Sequence, residues 1–511
     1  MKNQDWSYGY VTEVGYTTGF YVELCPSRLW MASLMNGFHF PSIEKPFNYL
    51  ELACGYGMSI STLAACYPQS HFFATDFNPS HIAMAKKLAE EANLTNITFF
   101  EDSFEELKNR SLPMFDFICF HGTYSWVSAE NRNHMLDIIK NQLNTGGIVY
   151  VSYNSLPGWA PASPLRRLMY ELEINESGPI LSRLERALQF MDTFKESDAL
   201  FFTGYPQLKQ RIEKLKEHNR NYLAHEYLND AWDLFYHADV VADMKSVKCS
   251  YLGSANLIDN VDQYCFPPKA LAQAKDITNT TLKETLKDFA MNQQFRRDIF
   301  VRGVQRMTVP ERINTYSQTR FALIRPRNKC DLTVKVPIGD INLKPEIYNP
   351  ILDSFQQGPK SCSDLMKLAD ISKIGMPTLI DAINLLASFS YIHPCSVLSD
   401  HAATLKSAHK FNQTVIQRAL NGNALNTIAL PMIGSGMQLN IVEQLLLLSY
   451  IEKQQNSVAT TWNRMKSLGH RFIHEGQPVQ DEQENIKRLE ELAKSFQTDM
   501  LPIVRHLGIK C

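Results

Sequence analysis

The sequence lacks the marks of several large protein classes. Its ten cysteines include no CxxC pair. Cys54 and Cys66, Cys249 and Cys265, and Cys362 and Cys395 lie too far apart to form a zinc site, and none of its fourteen histidines opens an HExxH pattern. No metal is therefore expected. Ten cysteines in 511 residues are also too few for a disulfide scaffold, which favours the reducing cytoplasm. No stretch reaches the length of apolar residues that membrane insertion needs. The closest run, Ile441–Ile451, carries Glu443, Gln444, Ser449 and Tyr450 and reads as a buried helix. The opening MKNQDWSYGYVTEVGY has no apolar centre, so no signal peptide is expected there. Charge of one sign is missing too. Lys plus Arg total 51 and Asp plus Glu 53, a net charge of -2, so no global positive field would gather nucleic acid. Glycine (23) and proline (24) are too few for a collagen-like or low-complexity chain.

What is present is a globular balance, with 44% hydrophobic and 20% charged residues. A chain of 511 residues exceeds what one hydrophobic core serves, so several domains are expected. Residues 26–38 read as a helix, with Pro26 and Ser27 suited to its start and Gly37 to its end. From Tyr49 onward, short apolar strands alternate with amphipathic helices. Strands are predicted over Tyr49–Ala53, His71–Thr75, Ile97–Phe100, Phe115–Phe120 and Ile148–Tyr153, with helices over Ser59–Cys66, Ser80–Asn93 and Glu130–Leu143. That order predicts an α/β fold with a doubly wound, Rossmann-like parallel sheet. Residues 160–240 read as helical. Lys248–Leu252 and Arg297–Val301 look like strands able to close the same sheet. Farther on, Phe321–Ile324 and Asp331–Val336 are strand-like, and Pro377–Phe389 with Tyr391–Cys395 resembles a winged helix. The helix over Pro377–Phe389 has no Lys or Arg, so base reading through it is not expected. The resulting division is a lid at 1–47, a core at 48–165, a helical insert at 166–305, a winged-helix-like middle domain at 306–400 and a mainly helical domain at 401–511. The two last domains are expected to face substrate or to form a dimer.

The sharpest chemical signal is Glu51-Leu-Ala53-Cys-Gly55-Tyr-Gly57, which follows a strand and opens a helix. Its glycines allow a tight turn and close approach of a ligand. It is neither the dinucleotide fingerprint nor a P-loop, since the third glycine and the GK[ST] are absent. Asp76 ends the second strand, where a carboxylate can accept from both ribose hydroxyls, as it also can in nicotinamide enzymes. Asp102 and Ser103 follow the third strand. The loops after strands four and five, His121-Gly-Thr-Tyr124-Ser-Trp126 and Tyr153-Asn154-Ser-Leu-Pro-Gly-Trp159, leave the ligand-binding edge of the sheet. Tyr16, Tyr21 and their neighbours are placed to close over it as a lid. His225 and Glu226 do not form a metal motif, since Asn occupies position 229. Their helix, with Tyr222, Tyr227 and Trp232, reads as a face packed over the pocket.

This ordered set resembles class I methyltransferases, which bind S-adenosyl-L-methionine. The loop after strand four lacks the [DNS]-P-P-[YFW] of exocyclic-amine methyltransferases, and Cys119 lacks the preceding proline of the 5-methylcytosine enzymes. Across nearly the whole chain the sequence is similar to the bacterial protein lysine methyltransferases first associated with rickettsial outer-membrane proteins. The segments that carry the likeness are residues 16–23, 51–57, 121–128, 153–159, 221–232, 251–256, 295–303 and 430–437. The resemblance implies a methyltransferase regulatory domain, a protein substrate, lysine as acceptor, a homodimer and a cytoplasmic location. A small-molecule acceptor is the alternative. It also implies roles. Glu51, Ala53, Gly55 and Gly57 would hold the methionine portion of the cofactor, Asp76 the ribose, and Phe77, Asp102 and Ser103 the adenine. Arg28, Tyr16 and Tyr21 would complete the cofactor site, and His121, Tyr124, Trp126, Tyr153 and Trp159 the acceptor side. Phe20 and Cys54 depart from the family's frequent tyrosine and glycine.

Overall fold

A computed structural model describes residues 9–15, 18–396, 401–422 and 425–511. Tyr16 and the opening residues 1–8, read for a lid and a leader, lie outside the described residues. Helix α1 (Pro26–Asn36) has Pro26 in its first turn, and Gly37 closes it in the left-handed region at φ 69°. The alternating pattern that follows builds β1 (Asn48–Leu52), α2 (Met58–Cys66), β2 (His71–Thr75), α3 (Pro79–Glu91) and β3 (Ile97–Phe100). Next come α4 (Phe104–Lys108), β4 (Phe115–Phe120), α5 (Ala129–Gln142) and β5 (Leu143–Asn154). β1 and β4 are apolar nearly throughout because helices cover both faces of the sheet at its centre. Strand β5 starts at Leu143, earlier than its apolar run suggests. Leu143 pairs with Phe115, and the register is irregular before Ile148 joins Phe117.

The insert supplies α6 (Ser163–Ile174), α7 (Ile180–Phe194), α8 (Leu200–Gly204), α9 (Gln207–Leu215) and α10 (Arg220–Tyr227). Their apolar faces share a core with Val11 and Trp159. After α11 (His237–Ser246) the chain returns to the sheet as β6 (Cys249–Ser254). It then runs through α12 (Asp262–Cys265), α13 (Pro268–Ala274) and α14 (Thr280–Met291) into β7 (Phe295–Arg302). Among the described residues these strands form one seven-stranded sheet in the order β3-β2-β1-β4-β5-β7-β6. β7 is antiparallel to both neighbours, and the other pairs are parallel. The order reverses between β1 and β4, which opens a crevice at their carboxyl ends.

Beyond the sheet, Arg320–Leu323 pairs with Lys360–Ser361 on one side and Ile392–Pro394 on the other. Helix Gly375–Ser388 packs beside this small sheet, giving the winged-helix-like unit. The terminal module is helical apart from hairpins at Thr427–Gln438 and Ile473–Pro478. Its first hairpin sits on the carboxyl end of α2. Cys66 Sγ donates to Ser435 O at 3.4 Å, and a Cβ on Gly434 would overlap the Tyr67 hydroxyl. Arg418 pairs with Glu91 at 2.7 Å. This module therefore braces the helix that follows the glycine turn. Among the described residues no helix is long and apolar enough to cross a membrane, and no group of three His, Cys, Asp or Glu could hold a metal. All ten cysteines are free.

Candidate functional site: a cavity at the strand ends

The crevice deepens into a cavity of about 550 Å³. One wall is the turn after β1. Ala53, Gly55 and Gly57 have φ of 56°, 54° and 69°, all in the left-handed region where a side chain strains the backbone. A Cβ on Gly55 would meet nothing within 4 Å, so its open side can take a ligand. Gly57 differs from the expectation. It lies outside the lining, and a Cβ there would come within 2.8 Å of Ala85 Cβ and 3.1 Å of Phe99. Its bareness lets α2 pack against α3 and β3; it does not make room for a ligand.

Three carboxylates from successive strand ends face this wall: Glu51, Asp76 and Asp102. Asp76 fixes the turn. Its Oδ2 accepts from Gly55 N at 2.9 Å and its Oδ1 from Asn78 N at 2.9 Å. Asp102 is paired by Arg110, whose Nη2 donates to Oδ1 at 2.8 Å. Ser103 lines the cavity but also caps α4, accepting from Glu106 N at 3.2 Å. Glu51 is different. It is 5% exposed, and its Oε2 has no hydrogen-bond partner. Burial, with Asp76 adding like charge, pushes its carboxyl up to about 8. Phe77 also lines this side, edge-on to Tyr10 at 5.8 Å between ring centroids.

The other side is aromatic. Tyr21, His121, Trp126 and Trp159 all line it. The rings of Tyr21 and His121 stack at 4.0 Å, and His121 Nδ1 meets Tyr150 Oη at 2.7 Å. Burial lowers the imidazole to about 4, which favours its neutral form at pH 7. Trp159 carries the Arg211 guanidinium 4.3 Å above its ring.

Three further residues lie away from their expected places. Arg28 is buried, donating to Ala255 O at 3.0 Å and Ala387 O at 3.2 Å. It joins α1 to the segment after β6 and to the winged unit, and does not reach the cavity. Tyr124 turns under its loop, where its hydroxyl donates to Asp243 on α11 at 2.7 Å. Tyr153 donates to Asp298 on β7 at 2.6 Å. Strand alternation explains Tyr153: successive side chains take opposite faces, so Asn154 lines the cavity and Tyr153 cannot. The same alternation was the available signal for Asn154.

The structure adds residues that the strand-end motifs do not reveal. Tyr10, Arg211, Tyr222, Glu226 and Arg297 all line the cavity. α10 brings Tyr222 and Glu226, as its aromatic face suggested. Tyr10 comes from an N-terminal segment tied to α10, through Val11 N to Asn229 Oδ1 at 2.8 Å and Asp230 N to Gly9 O at 3.0 Å. Among the described residues nothing after Arg297 lines the cavity.

The residues fit S-adenosylmethionine. An unpartnered buried carboxylate oxygen, as on Glu51, calls for a cation, which the cofactor's α-ammonium provides. Family comparison agrees. Residues 43–232 match a methyltransferase domain and residues 219–302 a predicted methyltransferase regulatory domain. The chain is 42% identical over 504 residues to an uncharacterized protein of Synechocystis sp., covering 99% of each chain. It is 26% identical over 417 residues to an uncharacterized protein of Rickettsia prowazekii, covering 81% of this chain and 71% of that one. Its fold matches PKMT2 from Rickettsia typhi, solved in complex with AdoHcy. The TM-score is 0.68 at 19% identity, covering 96% of this chain and 99% of that one. The turn after β1, the carboxylates at the strand ends and the match along the whole length agree: the chain belongs to the S-adenosylmethionine-dependent class I methyltransferases that carry a methyltransferase regulatory domain.

Proposed function

We propose that this enzyme methylates lysine side chains of protein substrates. The observation that carries the reading is the aromatic part of the cavity lining, which includes Tyr21, Trp126, Trp159 and Tyr222. Ring faces favour a cationic amine and hold it without a metal. Similarity of residues 121–128 and 153–159 to the rickettsial-type lysine methyltransferases supports the same acceptor. In this reading Glu51 receives the cofactor ammonium and Asp76 the ribose hydroxyls. Phe77, Asp102 and Ser103 border the adenine, and Ala53 and Gly55 offer backbone. The cofactor supplies a methyl group on a sulfonium, open to in-line displacement by an amine. Trp126 aligns that amine, Trp159 with Arg211 on its ring face borders it, and Tyr21 with neutral His121 closes the wall and excludes water.

Transfer of radiolabelled methyl groups from S-adenosylmethionine into a lysate of the source cell should put label on protein, with the modified residue mapping to lysine. Label confined to small metabolites would overturn this reading in favour of a small-molecule acceptor. A cytoplasmic homodimer belongs to the same proposal. The free cysteines support the compartment, and the exposed apolar stripe of Leu282, Leu286 and Phe289 on α14 supports a second copy. Sedimentation equilibrium should return twice the chain mass of 58.4 kDa. A monomer mass would remove the dimer.

A further inference from the structure

Four carboxylates line the cavity, and three sit together at the ends of β1, β2 and the segment after β3. Asp76 accepts from the N–H groups of Gly55 and Asn78, and His81 Nδ1 lies 3.2 Å from its Oδ1. Asp102 is held by Arg110. Glu51 stands beside Asp76 at the end of β1. The fourth, Glu226, enters from α10 in the regulatory insert. Asn154 Nδ2 points to its Oε1 at 3.5 Å, and Asn154 is fixed beside the strand-four loop by its N–H, which donates to Ser125 Oγ at 2.9 Å. Glu226 therefore lies next to Asn154 at the end of β5 and lines the cavity together with Tyr10, Trp159 and Tyr222.

Asn154 and the Tyr222 side chain hydrogen-bond this carboxylate, and two arginines stand near it. Arg211 on α9 stacks on Trp159. Arg166 on α6 donates to Asn229 O and lies over Trp232. Among the described residues neither arginine forms a salt bridge with Glu226. The phenols of Tyr10, Tyr222 and Tyr227 complete the titratable groups around it. A carboxylate in such a place has a chemical use. Lysine in water carries a proton, and an ammonium has no lone pair with which to attack a methyl group. A carboxylate beside the incoming amine can receive that proton.

We propose that Glu226 receives the ammonium of the acceptor lysine and takes its proton before transfer, which makes it a catalytic residue supplied by the regulatory insert. This rests on the lysine reading above. An N–H bond of the ammonium breaks and the proton passes to a carboxylate oxygen of Glu226. The freed Nζ lone pair then forms the N–C bond while the C–S bond breaks, its electron pair remaining on sulfur. The products are a methylated ammonium, the neutral thioether and protonated Glu226, which returns its proton to solvent. Burial raises the Glu226 carboxyl to about 7, against the weaker pull of Asn154, Arg211, Arg166 and the Tyr222 hydrogen bond, so its basicity suits work near neutral pH.

The test compares wild type, Glu226→Gln and Glu226→Asp, with radiolabelled S-adenosylmethionine as donor and source-cell lysate protein as acceptor. In the wild type, labelling should rise with pH through about 7, where the carboxyl loses its proton. Glu226→Gln is nearly isosteric. It should lower the rate about 100-fold, within the usual range for a lost general base. It should also abolish the inflection near neutrality, leaving only the rise of free lysine toward about 10. Affinity for S-adenosylhomocysteine, measured by calorimetry, should not change. Glu226→Asp should keep the inflection at a reduced rate. Lysine labelling that survives Glu226→Gln at the wild-type rate and pH profile overturns the assignment alone. Wild-type enzyme that labels no lysine overturns the lysine reading, and this assignment with it.

Discussion

Asp76→Ala should lose at least about 100-fold in affinity for S-adenosylmethionine, close to 3 kcal/mol. Two effects add. The carboxylate offers charged acceptors to a pair of ribose hydroxyls, and each such bond contributes about 1.5–3 kcal/mol. It also anchors the glycine turn through Gly55 N and the start of α3 through Asn78 N. Titration calorimetry with S-adenosylhomocysteine measures the loss directly. Asp76→Asn should be milder, since its amide oxygen can still accept from one of the two backbone groups. Wild-type affinity in a folded Asp76→Ala protein would refute the placement of the ribose.

The second large effect concerns stability. Arg296 is 3% exposed and lies at the centre of a charged cluster that fastens the insert to the sheet. Its Nε donates to Asp298 at 3.0 Å and its Nη2 to Glu284 at 3.0 Å, and Nη1 bonds Asp288. Asp298 in turn accepts from the Tyr153 hydroxyl and meets His237 Nδ1 at 3.0 Å. β5, β7, α11 and α14 are thus tied through one guanidinium. Against burial, Lys287 and then the guanidinium hold Glu284 down to about 2. Burial pushes Asp288 the other way, to about 7, and its Oδ2 has no hydrogen-bond partner. Arg296→Met removes a cation that contacts all three carboxyls, leaving Glu284 to Lys287 and the buried charge of Asp288 and Asp298 poorly compensated. The cost should be about 3–5 kcal/mol. Thermal unfolding followed by circular dichroism should shift down by on the order of 10 °C. A midpoint unchanged from wild type would show that the cluster is dispensable to the docking of the insert.

These two sites differ in how far they can be read along the chain. The glycine turn, Asp76 and Asp102 follow apolar strands at regular intervals, and each is presented by the strand immediately before it. Local sequence therefore carries them. Arg28 illustrates the reverse. An arginine at the start of a helix near a lid suggests a ligand contact, yet its partners are backbone carbonyls at Ala255 and Ala387, supplied by chain far from it in sequence. Tyr124 and Tyr153 misled for a related reason. Both sit in loops or strand ends aimed at the cavity, but their hydroxyls are taken by Asp243 and Asp298, which arrive through the insert and β7. Gly57 was legible as a required glycine but not in its purpose, because Ala85 and Phe99 create the crowding.

By itself, the sequence determined the parallel sheet, its helices, the cofactor-facing turn and the carboxylates that follow β1, β2 and β3. Strand alternation and glycine backbone freedom act over a few residues, so they are written locally. Tertiary structure alone decided that β7 enters between β5 and β6. It also decided that Tyr10, Arg211 and Glu226 share the cavity with the strand ends, and that the terminal module braces α2. Those outcomes depend on which buried surfaces and charges meet after the insert folds back over the sheet. Contacts between segments a hundred or more residues apart leave no periodic trace in the chain.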